Sequence, residues 1–210
     1  MVAAGLLIAF EGIDGSGKST QAARLEARLR REFPEREIVA VREPGGTPLG
    51  EAVRAVLLEG APRGPRAEML LYMAARCELY ERVVLPALRR DAVVLADRGN
   101  HSTAAYQGAG LGLDERQILE LGDQAVGGRW PDRVVWLRLS PGRALARLPK
   151  RAGEVARDQI ESRGLAYFER VAEAYERYAA AEPARFVSVD AGLPPDEVEQ
   201  AVRAGLDDVL

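Results

Sequence analysis

Gly12-Ile13-Asp14-Gly15-Ser16-Gly17-Lys18-Ser19 follows the apolar run Leu6 to Phe10 and leads into Thr20-Gln21-Ala22-Ala23-Arg24-Leu25-Glu26-Ala27-Arg28-Leu29. The octet fits G-x-x-x-x-G-K-[ST] without a mismatch. The run before it reads as a buried strand and the stretch after it has helical periodicity. Strand, glycine loop and helix in that order build an anion site. Glycines 12, 15 and 17 let the backbone turn tightly and aim successive N–H groups inward. The positive end of the following helix adds to the same field. Lys18 can reach the outer phosphates of a bound nucleotide, and the Ser19 hydroxyl is a Mg²⁺ ligand. The stretch therefore predicts binding of a nucleoside triphosphate and leaves open where the phosphoryl group goes.

Outward from the loop, short apolar runs alternate with longer amphipathic ones. Leu6–Phe10, Glu37–Val41, Ala92–Ala96, Arg133–Leu139 and Arg185–Val189 read as strands. Helical patterns lie near 18–32, 48–58, 65–90, 114–126, 141–150, 160–181 and 194–209. Repeated strand–helix units predict an α/β fold, a five-stranded parallel sheet between two layers of helices. With 210 residues and no internal repeat or linker-like tract, residues 1–210 are expected to form one domain. Ligands of such sheets sit at the carboxyl ends of the strands.

A net charge of −3 and a pI near 5.5 argue against nucleic acid or an anionic membrane as the main partner. No apolar run approaches the length of a membrane span, and no leader pattern opens the chain. Cys77 is the single cysteine, so an internal disulfide is impossible, which suits a reducing cytoplasm. It is expected to be a small core residue. Lys18 and Lys150 are the only lysines; nearly all positive charge is arginine, and an arginine gains a role only from its surroundings.

Those surroundings single out the loops after strands 1, 2 and 3. After strand 2, Arg42-Glu43-Pro44-Gly45-Gly46-Thr47 combines a tight turn with a helix cap at Thr47. Arg42 stands where an anion could be held, although the loop alone also reads as an ordinary connection. The 65–90 helix is expected to bury Leu70, Met73, Ala74, Cys77, Tyr80 and Val84. Tyr72 and Arg76, four apart, share another face, where a ring and a guanidinium could stack on a base and bond its edge, or simply meet solvent. After strand 3, Asp97-Arg98 puts a Mg²⁺ carboxylate beside a phosphate-binding arginine. Ser102, Thr103, Tyr106 and Gln107 follow at helical spacing. His101, without an acidic or metal-ligating companion nearby in sequence, is expected to be exposed. The segment 142–163 carries Arg143, Arg147, Lys150, Arg151, Arg157 and Arg163, broken by Pro149 and Gly153. It suits a lid closing on a triphosphate, at about residues 148–160, and equally a solvated loop.

Together these motifs resemble the thymidylate kinases, phosphate-loop enzymes that phosphorylate dTMP with ATP and Mg²⁺. The resemblance covers nearly the whole chain. It is carried by Phe10 to Thr20, by Arg42-Glu43-Pro44-Gly45-Gly46-Thr47, by Leu71-Tyr72-Met73-Ala74-Ala75-Arg76, and by Asp97-Arg98 leading into Ser102-Thr103-Ala104-Ala105-Tyr106-Gln107-Gly108. It implies that Gly12, Ile13, Asp14, Gly15, Ser16, Gly17, Lys18, Ser19 and Thr20 hold ATP, with Arg147 packed on adenine. It implies that Asp14 meets the 3′-OH of the acceptor, that Arg42 and Arg98 hold its phosphate, and that Tyr72 stacks on thymine. Arg76 would bond O4, Ser102 or Thr103 with Gln107 would address the base edge, and Tyr106 would crowd the 2′ side of the sugar. Asp97 would position Mg²⁺, directly or through water. The family also dimerises through the long helices after strands 2 and 3, so a homodimer is expected.

Two positions depart from the family. Gly99 replaces an aromatic residue or His, which loosens its loop. The family lid reads Asp-Arg-aromatic/aliphatic-Glu, whereas this chain has Asp158-Gln159-Ile160-Glu161. Gly15 puts no arginine in the phosphate loop, so the lid must supply one, with Arg157 and Arg151 as candidates. In-line transfer from MgATP to dTMP is the expected chemistry. A kinase for another nucleoside monophosphate, or a nucleotide switch without an acceptor, are the alternatives.

Overall fold

Five runs of aliphatic and β-branched residues form the strands β1 (Leu6–Glu11), β2 (Ile38–Arg42), β3 (Val93–Asp97), β4 (Arg133–Arg138) and β5 (Phe186–Asp190). The computed structural model describes residues 5–147 and 163–210. Every pairing is parallel, in the order β2-β3-β1-β4-β5. Each β1 residue is buried, as a central strand covered on both faces requires.

The period-two alternation of strands divides the core. Ile8 and Phe10 of β1 with Val93 and Leu95 of β3 join one cluster, completed by Leu25, Leu29, Phe168, Tyr175 and Val198. Their neighbours Leu7, Ala9, Val94 and Ala96 point the other way, onto Leu79, Tyr80, Val84 and Leu88. The first layer comprises α1 (Lys18–Glu32), α6 (Glu115–Ala125), α8 (Leu165–Ala181) and α9 (Pro195–Ala204). On the second face lie the end of α3 (Pro65–Leu79) and α4 (Leu85–Arg89). These make the three layers expected. A wider π-helical turn, Tyr80–Val84, joins α3 to α4 just before Pro86, whose ring and missing N–H disfavour a regular ladder. Against α3 packs α2 (Pro48–Glu59), capped by Thr47, whose Oγ1 accepts from Gly50 N at 2.9 Å.

Two expectations about burial change. In α3 the buried residues are Glu68, Met73, Ala75, Arg76 and Leu79, whereas Leu70 is 54% exposed, Ala74 is exposed and Cys77 is half-buried. The stripe is rotated because a buried arginine sits at its centre, which a count of apolar residues misses. His101, expected in solvent, is 2% exposed and lies among the rings of Trp130, Tyr178 and Phe186. Its acidic partner, Glu182 at 3.2 Å, is 81 residues away in sequence.

The strand register gathers the chemistry at one edge. Phe10 and Arg42 both lie opposite Asp97, and Glu11 lies opposite Trp136. After β3 come α5 (Asn100–Thr103) and a π-helical stretch, Ala104–Ala109. After β4 comes α7 (Pro141–Arg147). Among the described residues no helix is long and apolar enough to cross a membrane.

Candidate active site

The loop between β1 and α1 is built around close backbone approaches. Gly15 has φ of +80°, and a Cβ there would stand 2.5 Å from the Ala144 carbonyl oxygen of α7. Only glycine satisfies both conditions. Lys18 folds back over the loop, its Nζ donating to Ile13 O at 2.9 Å. Burial and the nearby Arg98 guanidinium pull the Lys18 ammonium down to about 8. Ser19 Oγ donates to Asp97 Oδ2 at 2.5 Å, so the hydroxyl and carboxylate expected around a metal do meet.

Above the loop a wide cleft is lined by Asp14, Gly15, Gly17, Lys18, Ser19, Thr20, Arg42, Asp97, Arg98 and Arg147. Most residues expected to hold triphosphate or metal therefore share one space. Gly12, Ile13 and Ser16 are not on its wall; the Ile13 side chain is buried in the core, and its carbonyl accepts from Lys18. Arg147 is anchored through Nη1 to Ala191 O at 2.9 Å. Arg151 and Arg157, with the whole 148–160 segment, lie outside the described residues.

A second cleft of about 600 Å³ opens beside the first, lined by Tyr72, Arg76, Ser102, Thr103, Tyr106 and Gln107. The two clefts meet at Asp14, Glu43, Arg54 and Arg98. Arg98, with φ of +79°, pairs with Asp14, reaches Ser102 Oγ at 3.2 Å and lies over the Tyr106 ring. Tyr106 OH donates to the other Asp14 oxygen at 2.9 Å. Burial pushes the Asp14 carboxyl up, but Arg98, Lys18 and the Tyr106 hydroxyl outweigh it and hold it below its ordinary value. Arg42, by contrast, has a side chain 53% exposed and, among the described residues, pairs with Glu51 alone, at 2.9 Å. A surface pair of that kind is worth about 0–1 kcal/mol, so Arg42 is easily released to another anion.

Arg76 is the most constrained side chain in the cleft. Its Nε donates to Glu43 Oε2 at 2.6 Å, and its Nη2 to Gly99 O at 2.9 Å and Thr103 Oγ1 at 3.0 Å. Nη1 faces only the Met73 sulfur, at 3.4 Å, a weak acceptor. Arg76 is thus a rigid donor rather than a solvated partner of Tyr72. Burial raises the Glu43 carboxyl above its ordinary value against the pull of Arg76. Gly99 is extended, at φ of −167°, and its carbonyl holds Arg76, so it does not loosen the loop.

Several contributors lay beyond sequence reasoning. Glu11 is fully buried, accepting from Ser102 N at 3.1 Å, Ser102 Oγ at 2.5 Å and Tyr175 OH at 2.7 Å; it fixes Ser102 at the cleft wall. Arg54 lines both clefts and donates to Pro44 O at 3.0 Å. In an arginine-rich chain nothing set it apart. Glu68 and Arg163 support Gln107 from behind.

The chain resembles known proteins over nearly its whole length. The thymidylate kinase family model matches residues 10–202. A thymidylate kinase of Synechococcus sp. is 47% identical over 193 residues, 92% of this chain and 91% of that protein. One of Cereibacter sphaeroides is 44% identical over 210 residues, 98% and 96% of the two chains. Among solved structures, the thymidylate kinase of Ehrlichia chaffeensis superposes with a TM-score of 0.79 at 29% identity, covering 97% of this chain and 99% of that one. A phosphate loop opening onto a base-sized cleft, in a chain so closely matched, places this protein in the thymidylate kinase family.

Proposed function

We propose that the protein transfers the γ-phosphoryl group of ATP to dTMP, giving dTDP and ADP. The observation that carries this reading is the junction of the two clefts at Asp14 and Arg98. There the outer phosphate of a donor on the loop faces the phosphate of an acceptor in the second cleft. The acceptor phosphate is already ionised, so no general base is required; catalysis is positioning and charge neutralisation. Lys18, Arg98 and Arg42 share the charge of the phosphates, and Arg157 or Arg151 completes it from the 148–160 segment. The loop from Gly12 to Thr20 cradles the donor, and Arg147 packs on its base. Tyr72 stacks on thymine, Arg76 donates to O4, and Ser102, Thr103 and Gln107 address the base edge. Asp14, a carboxylate with acceptor capacity left after its two bonds, takes the 3′-OH, and Tyr106 beside it disfavours a 2′-OH.

Ser19 and Asp97 offer adjoining hard oxygens, 2.5 Å apart, which fit Mg²⁺. When bound there, the ion neutralises charge between the outer phosphates of the donor. A homodimer through the helices after β2 and β3 is supported, on the β2 side, by Leu49, Val56 and Leu70 of α2 and α3, which are 48%, 49% and 54% exposed. Sedimentation as a monomer at micromolar concentration would refute it. Residues 1–210 form one domain with its lid at about 148–160, and the single cysteine suits the cytoplasm.

An ADP-release assay over dTMP, dUMP, CMP and no acceptor tests the reading. We expect dTMP to give the highest kcat/KM and the acceptor-free rate to be negligible. Equal turnover without acceptor would support a nucleotide switch instead.

A further inference from the structure

The cleft wall contains a chain of buried polar side chains that the transfer reaction itself does not need. Gln107, 1% exposed, donates through Nε2 to Glu68 Oε1 at 2.8 Å. Glu68, 3% exposed, is held on its other oxygen by Arg163 Nη2 at 2.7 Å. Arg163 is in turn fixed by Tyr167: its Nη1 donates to Tyr167 OH at 2.9 Å and its guanidinium lies over that ring. Tyr167 OH closes the chain on Tyr106 O at 3.1 Å.

A carboxylate paired with a guanidinium accepts hydrogen bonds and donates none. Glu68 therefore dictates which end of the Gln107 amide faces it. The NH₂ must turn to Glu68, which leaves the amide oxygen as the group Gln107 offers elsewhere. Among the described residues the Gln107 side chain makes its one hydrogen bond through Nε2; its oxygen is not among the sealed, unpartnered polar atoms, and Gln107 lines the cleft. On the same cleft, Arg76 Nη1 carries two N–H groups and spends one of them on the weak Met73 sulfur acceptor.

We infer that Glu68, clamped by Arg163, is a positioning residue that locks the Gln107 amide with its oxygen toward the base, so that the cleft selects a 4-oxo pyrimidine over a 4-amino one. A donor from Arg76 and an acceptor from Gln107 match the O4 and N3–H of thymine. Cytosine presents the reverse pattern, an amino group and a bare N3. This inference rests on reading the cleft as the dTMP site.

Glu68→Gln tests it with few atoms changed. Arg163 still claims the oxygen of the new amide, which turns its NH₂ toward Gln107. Gln107 must then rotate, so that its own NH₂ faces the base. The probes are dTMP and 5-methyl-dCMP, which differ only at the base edge in question. A site built on base hydrogen bonds discriminates by about 10⁴-fold or more, and we expect the wild type to favour dTMP on that scale. In Glu68→Gln the preference should fall at least about 100-fold, through loss for dTMP and gain for 5-methyl-dCMP. Equal loss for both substrates, the mark of a merely structural role, would overturn the inference, as would an unchanged ratio. A wild type inactive on dTMP would overturn the reading of the site and this inference with it. Should Glu68→Gln not fold, 3-deaza-dTMP with the wild type decides: it carries C–H for N3–H and should lose at least about 10-fold in kcat/KM. No loss would overturn the inference.

Discussion

Lys18 should weaken the nucleotide-free protein it serves. The residue is 6% exposed, and its ammonium is depressed from an ordinary 10.5 to about 8, first by burial and then by Arg98. At roughly 1.4 kcal/mol per pH unit, that gap amounts to about 3 kcal/mol against the folded state. The sign follows from proton counts. Below pH 8 both folded and unfolded chains hold the proton, and the whole penalty is present. Between about 8 and 10.5 the unfolded chain holds more protons than the folded one, so stability rises with pH. Above 10.5 the penalty is gone. Lys18→Met keeps the length of the side chain and removes the charge, at the loss of the charged bond to Ile13 O, worth about 1.5–3 kcal/mol. The variant should therefore be more stable than wild type at pH 7 by up to about 1.5 kcal/mol, or up to roughly 6 °C in Tm for a chain of this size. That advantage should vanish before about pH 10. The variant should also have no turnover, and MgATP should raise the Tm of wild type only. Thermal and urea melts from pH 6 to 10, in buffers free of phosphate and sulfate, measure all of this. A less stable variant at pH 7, or a difference that does not change with pH, would refute the reasoning. Retained kinase activity would remove Lys18 from the site altogether.

Gly15→Ala should strain the loop and push α7, because its Cβ would meet the Ala144 carbonyl at 2.5 Å with φ at +80°. We expect about 1–3 kcal/mol of destabilisation and a larger rise in KM for ATP than for dTMP, since α7 carries Arg147. Steady-state kinetics against each substrate check the asymmetry, and equal effects would contradict it. Arg76→Met leaves the Glu43 carboxylate buried without its ion pair and should lose about 3–5 kcal/mol in urea unfolding. Adding Glu43→Gln to it should restore part of that loss; a double variant no more stable than the single one would argue against an uncompensated charge.

The parts of this molecule legible in sequence are those whose signal is local. The sheet was legible because buried parallel strands are continuous apolar runs, and the phosphate loop because its glycines, lysine and hydroxyl lie within eight positions. The cleft was legible one residue at a time, through motifs that place Tyr72, Arg76, Asp97 and Gln107. What escaped were the pairings that give those residues their state. Arg76 is bound to Glu43, 33 positions away, and Gln107 to Glu68, 39 away. His101 finds Glu182 across 81. For Arg76 and His101 the short-range pattern allowed a solvated group, for Gln107 it named no support, and in each case the fold supplied a partner that made burial tolerable. The consequence is chemical as well as geometric. A solvated Arg76 could bond either edge of any base, whereas one with Nε and Nη2 spent on Glu43, Gly99 and Thr103 has a single direction in which to donate. Specificity in this site follows from what its side chains are prevented from doing, and that constraint is written in contacts between distant parts of the chain.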